Sequence, residues 1–206
     1  MRRNKISPKD NSIKKIMILG TELGVGVTHF SILLASYYVF ILGKKVCIAD
    51  LSETNDYRYM EQIYHGDNLF DTSDYIYPIK KIDFLIPAGK PDRRKLIQTA
   101  LTHSHDIIIF DNGTKSDDIQ QDMIMCDRKY IIGNCSLWKV LDFEKQISRL
   151  TNIYAYQYLY TFGQIENTEA IRRKYGIKFW QIPYTDSPFR IEKKQLSEIE
   201  KIIWEE

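Results

Sequence analysis

The chain is 206 residues long, with 44% apolar and 27% charged residues. That is the size and balance of one globular domain with its own core, and it excludes a largely disordered chain. The formal charge of +2 is near neutral, so composition gives no basis for wholesale nucleic-acid binding, and nucleic acid is not an expected partner.

In chain order, residues 1–12 are basic and polar and are expected to form a flexible leader. They lack the apolar segment of a signal peptide. Residues 13–206 then form a single domain. Residues 15–19 are a short apolar run ending in Gly20, the form of a buried parallel strand. After a glycine-containing turn, residues 28–42 read as a helix stopped by Gly43. Residues 45–49 are a second buried strand closed by Asp50, which completes a strand–loop–helix–strand unit. Residues 57–64 are helical, and 82–86 form a strand stopped by Pro87. Residues 92–102 form a helix, and 106–110 a very apolar strand ending at Asp111. A helix is expected at 118–126, a strand at 129–132 and an amphipathic helix at 138–150. A strand at 156–160, a helix at 168–175, a strand at 177–182 and a helix at 192–204 close the chain.

Strands alternating with helices predict the α/β class: a mostly parallel central sheet with helices on both faces. The longest apolar run, residues 30–42, is too short to cross a bilayer, so no integral membrane segment is expected. Cys47, Cys126 and Cys135 fit no zinc spacing and read as buried free thiols, which suits a reducing, cytoplasmic setting. The paired basic residues, such as Lys80-Lys81 and Arg172-Arg173-Lys174, read as solvated surface.

Open α/β sheets bind ligands at the carboxyl ends of their strands. Three features fall there: the loop Thr21-Glu22-Leu23-Gly24-Val25-Gly26-Val27-Thr28, Asp50 and Asp111. A phosphate loop needs glycines so that backbone N–H groups can turn inward, and a helix N-terminus whose partial positive charge favours an anion. Gly24 and Gly26, between strand and helix, meet both needs. Thr28 stands where a hydroxyl would bind Mg²⁺.

These residues resemble the ParA/MinD family of P-loop ATPases, whose loop reads x-Lys-Gly-Gly-Val-Gly-Lys-Thr. The matches are Gly24, Val25, Gly26, Thr28, Leu34-Ala35, Gly43, Val46 and Asp50. The strand ending Ile109-Phe110-Asp111 is similar to the family's Walker-B strand, and Ile182-Pro183 to its adenine-contacting segment. The resemblance implies ATP held by Gly24, Val25, Gly26, Val27, Thr28, His29 and Pro183, with Mg²⁺ at Thr28, Asp50 and Asp111.

The departures carry more weight. Val27 replaces the lysine that reaches the β- and γ-phosphates, Glu22 replaces the signature lysine, Leu23 replaces a glycine, and Ser52 replaces an acidic residue that orients water. Phosphoryl transfer depends on positioning and on neutralising charge. Each lost cation–phosphate contact is worth roughly 1.5–3 kcal/mol. Two such losses move a micromolar site to about millimolar or weaker. Glu22 is expected to repel phosphate as well. The sequence therefore points to a degenerate member with weak ATP and Mg²⁺ binding and no catalytic residue. Its role would be to position or scaffold a bacterial assembly through a protein partner or as a homodimer. Two alternatives stay open: an active ATPase whose cations come from a partner, and a nucleotide-free interaction domain with a vestigial P-loop.

Overall fold

The computed structural model describes residues 12–66, 75–87, 92–114 and 125–205. Most of the expected leader and most of the helix expected at 118–126 lie outside the described residues. The elements in chain order are β1 (Lys14–Gly20), α1 (Val27–Ser36), β2 (Val46–Asp50), α2 (Asp56–His65), β3 (Tyr75–Ile79), β4 (Ile82–Ile86) and α3 (Arg93–Thr102). They continue with β5 (Ile107–Asp111), β6 (Arg128–Cys135), α4 (Val140–Ile147), β7 (Gln157–Gly163), α5 (Glu169–Tyr175), β8 (Phe179–Gln181) and α6 (Lys193–Trp204).

The eight strands form one sheet in the order β3-β4-β2-β5-β1-β6-β7-β8. All neighbours pair in parallel except β3 with β4. The central strands are apolar on both faces because both faces are covered, so they read as continuous hydrophobic runs rather than alternating ones. On one face Ile16, Ile18, Ile48 and Ile109 pack with Phe30, Leu33 and Leu34 of α1, Tyr57 of α2 and Ile199 and Ile203 of α6. On the other, Met17, Cys47 and Ile108 pack on Leu96 and Ile97 of α3, and Ile131 and Tyr158 pack on Phe143 of α4 and Ile171 of α5. The three cysteines are free and buried, as expected.

Two stretches depart from the sequence reading. The helix expected at 28–42 is α-helical only to Ser36, and Tyr37–Ile41 continue as a π-helical turn before Gly43, at φ +65°, ends it. The strand β3 was not expected, and Pro78 lies within it. It is an edge strand paired on one side only, where a missing N–H is tolerated. Lys80 and Lys81, read as solvated surface, form the two-residue turn between β3 and β4 with φ of 48° and 67°.

Candidate functional site

The loop that follows β1 closes onto the strand it leaves. A Cβ placed on Gly20 would meet Val27 Cγ2 at 2.6 Å and Val25 Cγ1 at 2.8 Å, so both valines lie against the end of β1. Gly24 and Gly26 take φ of 76° and 100°, conformations open to glycine at low cost. Gly26 is the N-cap of α1 and offers no side-chain cap, and the first turn has no acidic residue. The helix N-terminus is thereby left to whatever anion or water approaches it. Thr161 of β7 donates its hydroxyl to the carbonyl of Val25 at 2.9 Å and ties the loop to the sheet.

Strand order brings the two aspartates beside the loop. Asp50 and Asp111 are register partners at the ends of β2 and β5, and β5 is the direct neighbour of β1. Both carboxyl groups are buried. Burial pushes Asp50 up to about 7, against the opposing effect of Ser52, whose hydroxyl and N–H donate to Asp50 Oδ1 at 2.6 and 3.0 Å. Burial also raises Asp111, and the Tyr57 hydroxyl, which donates to Asp111 Oδ2 at 2.6 Å, works against it. Ser31 Oγ donates to the same oxygen at 3.3 Å, and the Gly113 N–H donates to Oδ1 at 3.0 Å. Thr28 and Thr54 both donate to Asp56 Oδ2, at 3.4 and 3.0 Å. Both strand-end aspartates therefore accept from hydroxyl and backbone N–H donors. Among the described residues no group of three or more His, Cys, Asp or Glu could hold a metal ion.

The replaced lysines differ in fate. The Val27 side chain is 7% exposed and belongs to the core. Glu22 is held by Lys139 Nζ at 2.6 Å and by Asn134 Nδ2 at 3.1 Å. The repulsion expected of Glu22 is therefore offset inside the chain, and its hydrogen bond in turn raises the Lys139 pKa. Sequence reasoning missed this cation because Lys139 lies in the loop after β6, far along the chain and outside any motif. Asp56 and Tyr57, which open α2, were missed because they belong to no motif. His29 is half-buried and lowered by desolvation, which keeps its ring neutral.

Glu22, Leu23, Gly24, Val25, Gly26, Val27, Thr28 and His29 line one cleft with Ser52 and Asp56, and its volume is about 140 Å³. Small-molecule sites usually run to about 300–1,000 Å³. The enclosed part of the cleft is smaller than that range. Pro183 follows β8, with β6 and β7 between that strand and β1, and is not among the described residues lining the cleft. One of the lining residues, Leu23, is exposed and apolar, and other exposed apolar residues flank Lys139 in sequence. Leu23 is 78% and Trp138 80% exposed, with Leu137 and Leu141 also exposed on either side of Lys139.

No protein-family model matches the chain, and no curated protein matches it in sequence. Solved structures do match its fold. A plasmid partition protein of Borrelia burgdorferi bound to AMPPNP superposes with a TM-score of 0.64 at 18% identity, covering 93% of this chain and 97% of that one. The MinD cell division protein of Aquifex aeolicus gives 0.67 at 15% identity over 94% and 98% of the two chains. The septum site-determining protein MinD of Pyrococcus horikoshii, complexed with Mg-ADP, gives 0.58 at 17% over 93% and 94%. The fold is that of the ParA/MinD-type P-loop ATPases. The expected architecture holds over nearly the whole chain.

Proposed function

We propose that the protein is a degenerate ParA/MinD-like P-loop protein, a pseudo-ATPase that positions or scaffolds a bacterial assembly in the cytoplasm through protein contacts. One observation carries this reading. Where relatives of this form keep two lysines on the phosphate, this chain has a valine folded into its core and a glutamate closed on Lys139, with Leu23 exposed in the loop and Leu137, Trp138 and Leu141 exposed next to Lys139 in sequence. Exposed apolar patches beside a degenerate site favour a protein contact over catalysis. A partner and a second copy of the chain are both consistent with those exposed residues.

The similar folds bind AMPPNP and Mg-ADP, so Mg²⁺ and ATP are the ligands to test at Gly24–Thr28, with Thr28, Asp50 and Asp111 toward the metal. We expect weak binding, because Asp50 and Asp111 already have hydroxyl donors and would have to exchange them. Titrating Mg·ATP into the purified protein and following phosphate release tests the reading. The expected result is an affinity of about millimolar or weaker and no turnover above background. Steady-state release that vanishes in Asp111→Asn would overturn it and favour the active ATPase. A complete lack of binding would favour the nucleotide-free interaction domain.

A further inference from the structure

A second cavity borders the sheet at its opposite, amino-terminal edge, where the P-loop plays no part. Its volume is about 600 Å³, within the roughly 300–1,000 Å³ of small-molecule sites. Register places four of its lining residues on one face. Lys14 is two residues before Ile16, Ile16 pairs with Arg128, Tyr130 pairs with Gln157, and Leu159 pairs with Trp180. With a strand period of two, Lys14, Arg128, Gln157 and Trp180 therefore form a row across β1, β6, β7 and β8 on the same side.

The chemistry of that row is uneven. Lys14, Arg128, Lys129 and Lys178 line the cavity against one carboxylate, Asp127. Lys14 is half-buried, and desolvation together with the neighbouring Arg128 lowers its pKa. Two cations held together on adjacent strands cost free energy unless an anion joins them. Tyr154 adds a ring that is largely exposed while its hydroxyl donates to the Tyr175 carbonyl at 3.1 Å, which fixes the ring in place. Gln157 donates through Nε2 to the Glu205 carbonyl at 3.0 Å, but its Oε1 is buried with no hydrogen-bond partner. A buried acceptor left empty costs about 1–3 kcal/mol unless something donates to it.

We propose that this cavity is a second ligand site and that it binds a phosphorylated nucleoside. The Lys14–Arg128 pair receives the phosphate, the exposed Tyr154 ring stacks on the base, and Gln157 Oε1 accepts from an N–H of that base. The four demands match one ligand class: an anion to relieve the cations, a flat ring for the exposed Tyr154 face, a donor for the orphan acceptor, and a size fitting the cavity. Inorganic phosphate answers only the first. The site is independent of the P-loop reading and stands whether or not Mg·ATP binds there.

The test uses the full chain without Mg²⁺. AMP, GMP, CMP, UMP and inorganic phosphate are titrated separately and followed by tryptophan fluorescence and calorimetry. We expect one saturable site at which at least one nucleoside monophosphate binds about tenfold or more tightly than phosphate. Arg128→Gln and Tyr154→Ala should each weaken it by about tenfold, with melting temperature confirming the fold. If Arg128→Gln fails to fold, the exposed Lys178→Gln replaces it. The proposal is overturned by absent saturation, by phosphate binding as tightly as every nucleotide, or by indifference to these variants. It is equally overturned if affinity falls with Thr28→Val and not with Arg128→Gln, because the ligand would then sit in the P-loop.

Discussion

Asp50 shows how a single side chain can retain an inherited place under altered chemistry. Its carboxyl lies at the end of β2 opposite Asp111, as the sequence implied, but it is buried and pushed up to about 7. The native chain therefore holds this proton more tightly than the unfolded chain, whose aspartate titrates near 3.8. Stability from this group is full below about 4, falls as pH rises, and is lost by about 7; Asp111 shifts in the same direction. The span corresponds to about 4 kcal/mol. Asp50→Asn should flatten that slope, so thermal melts of the two proteins should converge at low pH and separate as pH rises from 4 to 7. Parallel pH profiles would count against the burial argument. The thiols give a second test at this scale. Burial pushes Cys47 and Cys135 up to about 12, so neither should react with a thiol reagent at neutral pH until the chain is unfolded.

Elements were legible in proportion to how far local pattern decided them. The strands β1, β2 and β5 are buried on both sides, and their continuous apolar runs identified them within a residue or two. The edge strand β3 was not legible. Its proline is compatible only with an edge, and which strand is the edge depends on sheet order, not on local sequence. The β3–β4 turn hid for a related reason: a type I′ turn is normally flagged by Asn-Gly, and here two lysines take positive φ. A left-handed non-glycine residue costs roughly 1–2 kcal/mol, against about 0.5–1 kcal/mol for glycine's extra chain entropy. Lys81→Gly should therefore raise stability by up to about 1 kcal/mol, read as a small increase in the urea midpoint. The β6–α4 contact leaves no such latitude. A Cβ on Gly133 would lie 2.2 Å from the buried Phe143 ring. Gly133→Ala should cost about 1–3 kcal/mol through overpacking, and Phe143→Leu in the same chain should recover part of it.

At the scale of the whole molecule, the glycines, the two aspartates and Thr28 were readable because they recur in a motif, and β-sheet order gathers them at one edge. What filled the site in place of lysine was not readable. Lys139 reaches Glu22 only because β6 lies beside β1, and Tyr57 reaches Asp111 only because α2 folds over β5. Those contacts change how the lost cations should be restored. Replacing Glu22 by lysine would put two positive charges together and strand Lys139. Glu22→Gln keeps an acceptor for Asn134 and releases Lys139 as a cation at the loop. Val27→Lys adds the second, since its aliphatic stem can stay against Gly20 while the ammonium reaches the cleft. Each charge-assisted phosphate contact is worth roughly 1.5–3 kcal/mol, so the double variant should bind Mg·ATP at least about tenfold more tightly than the parent. Calorimetry on both proteins, with melting curves to verify the fold, measures this directly. A folded double variant with no gain in affinity would mean that the cleft of about 140 Å³, not the missing charge, excludes the nucleotide. The exposed Leu23, Leu137, Trp138 and Leu141 would then be the first candidates for a contact surface.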